Sequence, residues 1–251
     1  LRLVTLGGFR VLRDGVEIPE AEFERQKARA LLAVLLCAGA PVHRETLVEE
    51  LWPHLPADRG VAALNSTLYV LRRVLEPGLS RSRPSSLVVA EGASYRLVLS
   101  PEDEWDARRF LELASPDGGA GVEDVARLQE AEAAWGGPFL PEWPYADWAA
   151  PLRAELEEAH RGVLERLAEA LAVSGQPGAA ISRYRRLLAI EPEREGYHRG
   201  LMRVFAQAGE RALALRQYHA CRAILRQRLG IEPSRETRDL YTRLLREEGN
   251  A

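Results

Sequence analysis

The chain reads as two folds in series, a small α+β domain followed by a larger all-α one. Three observations predict this. Short alternating β runs near residues 1–18 and 87–99 enclose three helical patterns; the β signal ends at about Trp105; and helical core positions then recur at a 34-residue spacing. The division falls between residues 101 and 102, giving domains 1–101 and 102–251.

The opening runs Leu1 to Leu6, Phe9 to Leu12 and Val16 to Ile18 are separated by Gly7-Gly8 and Asp14-Gly15. Asp-Gly between alternating apolar residues is a strong hairpin signal, because both turn positions need positive φ. Helical patterns follow at Gln26 to Ala38, at His43 to Trp52 before Pro53, and at Arg59 to Glu76, with Asp58 as the expected cap and Pro77-Gly78 as the stop. Leu87 to Ala90 and Tyr95 to Leu99, joined by Glu91 to Ser94, form a second hairpin. Sheet, three helices and hairpin is the order of a winged helix-turn-helix.

Beyond Trp105 everything reads as helix, with interruptions at Pro116 to Gly121 and Gly136 to Pro144. Leu167 and Leu201, Leu171 and Phe205, Gly175 and Gly209, Ala180 and Ala214, and Tyr184 and Tyr218 each stand 34 residues apart. That is the tetratricopeptide period. The glycines end the first helix of each pair, and the alanines let the second helix approach closely. The second unit has Arg226 where the first has Pro192, so its last helix runs on toward Leu229. Gly230 to Pro233 then breaks the chain, and Ser234 starts a terminal amphipathic helix that caps the stack.

Composition narrows the function classes. With 46% hydrophobic and 28% charged residues in 251, the chain is globular rather than disordered. Cys37 and Cys221 lie far apart in apolar helical patterns, which fits core packing in a reducing compartment rather than a disulfide scaffold. The longest uncharged apolar stretch, Ala30 to Val42, is too short to span a bilayer, which needs about 20 residues. A cytoplasmic protein without membrane contact is expected. The formal charge of −3 conceals opposed halves. Residues 1–101 carry 13 basic and 11 acidic side chains, whereas residues 102–251 carry 21 and 26.

The positive excess centres on the third helix. Leu64, Leu68, Leu71 and Leu75 form its buried stripe, which turns Arg59, Ala62, Ser66, Tyr69 and Arg73 outward, with Asn65 and Arg72 on the flank. Between Arg59 and Arg83 there are five arginines, at 59, 72, 73, 81 and 83, against one acid, Glu76. Such a face suits the major groove of double-stranded DNA: arginine for phosphate or guanine, Asn or Ser for base edges, Ala for a thymine methyl. Arginines on a solvated helix carry no information alone, but here the element order nominates the same helix. The expected contacts are Asn65, Ser66 and Tyr69 near bases, and Lys27, Arg29, Arg59, Arg72 and Arg73 near phosphates. Arg83 and Arg96 add charge at the wing, where Glu91 opposes it.

Trp135, Trp143, Tyr145 and Trp148 cluster around Gly136-Gly137 and three prolines, an arrangement that more often plugs a join between layers than forms a pocket. The five histidines show no metal spacing, and no phosphate-binding glycine loop or nucleophile elbow occurs. The sequence therefore predicts a protein that is not an enzyme and uses no cofactor or metal.

Several stretches carry a family resemblance. Leu3-Val4-Thr5-Leu6-Gly7-Gly8-Phe9, Lys27-Ala28-Arg29-Ala30-Leu31-Leu32, Glu50-Leu51-Trp52-Pro53, Leu71-Arg72-Arg73-Val74-Leu75 and Tyr95-Arg96-Leu97 resemble the Streptomyces antibiotic regulatory protein family. Asp106 to Phe110, Trp135 to Leu140, Leu201-Met202, Ala214 to Tyr218 and Leu229 to Pro233 look like that family's bacterial transcriptional activation domain. The resemblance implies a transcriptional activator. Its winged helix would bind directly repeated promoter sites as a homodimer or tandem protomers, and its tetratricopeptide-like domain would recruit RNA polymerase. Val70 and Glu91 depart from the family, which commonly has basic residues there. A second reading is a tetratricopeptide-type adaptor whose winged helix binds protein. A third, suggested by Leu1 in place of an initiator Met, is the DNA-binding piece of a larger ATP-dependent or phosphopeptide-sensing regulator.

Overall fold

The computed structural model describes residues 1–24, 26–80, 83–116 and 125–246. Arg81 and most of the expected break at Pro116 to Gly121 lie outside the described residues. The chain forms two compact units, Leu1–Arg109 with Gly136–Glu157, and Phe110–Trp135 with Glu158–Ala251. These do not follow a single cut at residue 101. Residues 102–109 and 136–157 fold with the first unit, for reasons of backbone pairing given below.

In the first unit, β1 (Arg2–Val4), β2 (Arg10–Arg13) and β3 (Val16–Glu17) form an antiparallel meander. Its two-residue turn has φ 52° at Asp14 and 80° at Gly15, the paired positive values a tight hairpin demands. α1 (Gln26–Ala38) buries Leu31, Leu32, Leu35 and Leu36. β4 (Val42–His43) leads into α2 (Arg44–Leu51), with His43 at its N-cap. α3 spans Ala57–Leu75 and begins after Pro56, so Asp58 lies in its first turn instead of capping it. There its charge complements the helix dipole. β5 (Val88–Glu91) and β6 (Ser94–Leu97) are longer toward the turn than expected, leaving only Gly92 and Ala93 between them. β4 pairs with β6, closing a second sheet in the order β4-β6-β5.

β7 (Glu104–Trp105), too short for residue patterning to mark, pairs parallel with β1 and completes the order β3-β2-β1-β7. α4 (Asp106–Ala114) follows directly. The Asp106 carboxylate accepts from the backbone N–H groups of Thr5 and Leu6 at 2.9 Å and from Thr5 Oγ1 at 2.6 Å. Nearby, Gly7 N donates to Pro138 O and Leu140 N to Thr5 O, both at 2.9 Å. A Cβ on Gly7 would lie 2.3 Å from Gly136 O, so only glycine admits this backbone approach. Phe9 packs edge-on against Trp143 at 5.4 Å, so that tryptophan does plug a join, whereas Tyr145 is 95% exposed.

The second unit contains α5 (Val125–Ala134), then α6 (Ala150–Val173, from residue 158 on), α7 (Pro177–Ile190), α8 (Glu195–Gln207), α9 (Arg211–Leu229) and α10 (Arg235–Arg246). The 34-residue repeat is visible in its hydrogen bonds. Gln176 N donates to Leu171 O at 2.9 Å and, one repeat on, Glu210 N donates to Phe205 O at 2.8 Å, with Gly175 and Gly209 at φ 73° and 77° before them. Ala180 and Ala214 are fully buried, and Gly200 sits so close to the Tyr184 ring that a Cβ would approach within 2.3 Å. Glu195 fastens α8 to the start of α10 by accepting from Ser234 N, Ser234 Oγ and Thr237 Oγ1.

Asp106→Ala leaves the Thr5 and Leu6 amides without an acceptor and should lower stability by about 2–4 kcal/mol, read from the urea midpoint. An unshifted midpoint removes Asp106 from its structural role. In the second unit His160 stacks on Trp135 at 4.3 Å with an interplanar angle of 8°. Burial foremost, and then the Arg186 guanidinium, lower the His160 pKa from 6.5 to about 4. Between those values the unfolded chain binds more protons, so this contribution to stability is complete above 6.5 and declines as pH falls toward 4. His160→Phe should flatten that part of the pH profile of thermal unfolding.

Candidate nucleic-acid interface

α3 is set against α2 by Gly60, where a Cβ would come within 2.3 Å of Val48 Cγ1. Its buried side is Gly60, Leu64, Thr67, Leu68, Leu71, Val74 and Leu75. The other side exposes Arg59, Ala62, Ser66, Tyr69 and Arg73, the face counted from the leucine stripe, together with Asn65 from its flank. Arg13 donates to Val74 O at 2.6 Å and so satisfies a carbonyl at the helix C-terminus.

The ten candidate side chains divide by what they already hold. Lys27 Nζ donates to Leu51 O at 2.5 Å, at the C-terminal end of α2, and stands 6.0 Å from the Trp52 ring centre. Arg29 pairs with Glu20 and donates to Phe9 O at 2.6 Å, with only 13% of its side chain exposed. Arg72 places Nε and Nη2 at 3.1 and 2.9 Å from Val88 O and lies over the Tyr95 ring, so it ties α3 to the β5–β6 hairpin. Arg96 pairs with Glu91 at 2.5 Å, which neutralises the wing's acid and engages its arginine together. Ser66 donates its hydroxyl proton to Ala62 O at 3.1 Å.

The remaining five stay open. Among the described residues, the side chains of Arg59, Asn65, Tyr69, Arg73 and Arg83 make no hydrogen bond or ion pair; the Arg73 guanidinium rests 5.7 Å from the Tyr69 ring centre. Two clefts flank this face. The one on the wing side, about 960 Å³, is lined by Arg72, Arg73 and Arg83 without a carboxylate. The one toward α1, about 430 Å³, has Glu24 as its only carboxylate among the described residues. Asn65 and Tyr69 line both and form the ridge between them.

Sequence reasoning did not find the part played by Glu76. It accepts from Ser85 Oγ, from Ser86 N at 3.0 Å and from Ser86 Oγ at 2.7 Å, and so anchors the segment leading into β5. The run Pro84-Ser85-Ser86 was the only signal, and serines in a loop are common. Chemistry of other kinds finds less support here. Burial pushes the thiols of Cys37 and Cys221 up to about 12, far from nucleophilic. Among the described residues no three His, Cys, Asp or Glu side chains group as metal ligands, and no helix is long and apolar enough to cross a membrane.

Residues 105–245 match the bacterial transcriptional activator domain. The chain is also 29% identical over 248 residues to the transcriptional regulatory protein MoaR1 of Mycobacterium tuberculosis, covering 96% of this chain and 78% of that protein. It belongs to the Streptomyces antibiotic regulatory protein family. Regulatory protein AfsR of Streptomyces coelicolor is 29% identical over 250 residues, which span 98% of this chain but 24% of AfsR. The solved structure of Mycobacterium tuberculosis EmbR in complex with a low-affinity phosphopeptide matches with a TM-score of 0.79 at 26% identity, over 98% of this chain and 65% of EmbR. The resemblance drawn from sequence is thus borne out, and the chain is a transcriptional regulator of this family.

Glu76 supplies a pH test of the site's frame. Burial raises its pKa, but the hydrogen bonds from Ser85, Ser86 and Leu87 outweigh that and hold the carboxyl below its usual 4.5. Its stabilisation is therefore complete above 4.5 and is lost as pH falls through the lower folded value. The stability gap between wild type and Glu76→Gln, measured by denaturant unfolding from about pH 6 to about pH 3, should close toward acid.

Proposed function

We propose that this regulator binds double-stranded promoter DNA sequence-specifically through its first unit, a winged helix in which α3 enters the major groove and β5–β6 is the wing. The observation that carries the reading is the division of the ten side chains. Arg59, Asn65, Tyr69, Arg73 and Arg83 stand open on one face, while Arg72 ties α3 to the β5–β6 hairpin and Lys27, Arg29 and Arg96 are engaged by other partners in the unit. Arg72 fixes α3 against the β5–β6 hairpin, so the open row and the hairpin present one preset surface to a duplex.

In this reading Arg59, Arg73 and Arg83 contact phosphates, with the stronger grip on the strand in the wing-side cleft. Lys27 retains two ammonium protons for a flanking phosphate, whereas Arg29 and Arg96, each paired with a carboxylate, add no net charge at the face. Ser66 offers its oxygen as an acceptor near the base edges. The helical second unit, of tetratricopeptide type, serves contacts between tandem protomers on direct repeats and contact with RNA polymerase.

Selection of bound duplexes from a random pool should return an enriched motif; enrichment no greater than nonspecific binding would sink the proposal. Salt dependence then separates the roles. Arg73→Ala and Arg83→Ala should each reduce the slope of log K against log salt by about 0.9. Arg72→Ala should weaken binding by loosening the wing and leave that slope unchanged.

A further inference from the structure

We infer that sequence choice by the first unit is set by a single helical row: Asn65 reads an adenine, and Tyr69 meets a thymine methyl about two base-pair steps away. This rests on the DNA-binding reading above and deepens it. Residues 65, 69 and 73 follow one another at four-residue spacing, so they form one row along α3. The first two are the wall shared by both clefts, the position that projects furthest between them.

Chemistry selects among the neighbours on that face. Ser66 has spent its proton on Ala62 O, so it can accept from a base but not donate to one. Ala62 has no polar atom. The Asn65 amide is exposed, with both its N–H donors and its carbonyl acceptor free among the described residues. A free carboxamide in the major groove matches adenine in two places at once: its Nδ2–H donates to N7, and its Oδ1 accepts from the N6 amino group. No other base presents an acceptor and a donor side by side in that order.

Tyr69 is 50% exposed, and the Arg73 guanidinium lies against its ring, which fixes the ring's direction. An oriented aromatic edge on the ridge fits the one apolar group in the major groove, the thymine C5 methyl. Four residues of helix advance about 6 Å, close to two base-pair rises of about 3.4 Å. Arg73 then falls one further turn along, at the phosphates of the wing-side cleft.

The test uses the full chain and the motif it selects from random duplex DNA. Wild type should select a position fixed as adenine; Asn65→Ala, an exposed substitution that the fold tolerates, should lose preference there by roughly 5- to 150-fold and nowhere else. Replacing that adenine with 7-deaza-adenine, which lacks only the N7 acceptor, should weaken wild type and have no added effect on Asn65→Ala. Deoxyuridine in place of the thymine about two steps away should weaken wild type but not Tyr69→Ala. If the motif forms and the 7-deaza and deoxyuridine duplexes bind wild type as tightly as the parent, the row is not the reader and the inference falls while DNA binding stands. If no motif is selected at all, the DNA-reading role itself falls and this inference with it.

Discussion

One carboxylate holds the first unit together. Asp106 begins α4 and accepts from two consecutive amides, Thr5 and Leu6, at the point where β1 ends. Those amides have no sheet partner on that side, and Thr5 is fully buried, so water cannot replace the acceptor. Trp105, one residue earlier, donates Nε1–H to Thr5 Oγ1 at 3.0 Å. The same corner of β1 receives Pro138 and Leu140, made possible by glycine at 7 and 136. A meander of three short strands would bury little by itself; the added strand widens the sheet to four and the returning segment pairs along the chain just after β1.

With that scaffold in place, α3 is held by contacts that consume charge. Arg13 and Arg72 end on backbone carbonyls, Arg96 on a carboxylate, and Glu76 on two serines. The Arg13 and Arg72 bonds to part-buried carbonyls are each worth about 1–3 kcal/mol, and the half-exposed Arg96–Glu91 pair at most about 1 kcal/mol. The consequence is electrostatic as much as mechanical. Counting arginines overstates the charge available to a ligand, because those that position the helix and hairpin are already matched. Within α3 and the segment that follows it, the arginines left open lie on one side of the helix, beside the carboxylate-free cleft.

Much of this was legible in residues alone. Asp14-Gly15 wrote its hairpin because only a few residue types accept positive φ twice in succession. The leucine stripe of α3 fixed which side chains face outward, since helical periodicity is local and rigid. Gly175 and Gly209 marked equivalent helix ends because a left-handed cap is needed at each. Less legible were the start of α3, where Pro56 displaced the expected cap at Asp58, and β7, two residues long and paired with a strand 100 residues away.

The chain's sequence by itself determined the order of its helices and hairpins, the helical repeat, the family and the outward face of α3. Each follows from short-range periodicity, turn chemistry or residue identity, which neighbours along the chain decide. Tertiary structure decided that residues 136–157 belong with the first unit, that Glu91 is neutralised, and which arginines are free. Those outcomes depend on partners tens of residues distant, such as Gly7 with Gly136 and Arg72 with Val88 and Tyr95. An arginine's letter gives its charge, but only its neighbours in space say whether that charge is already spent.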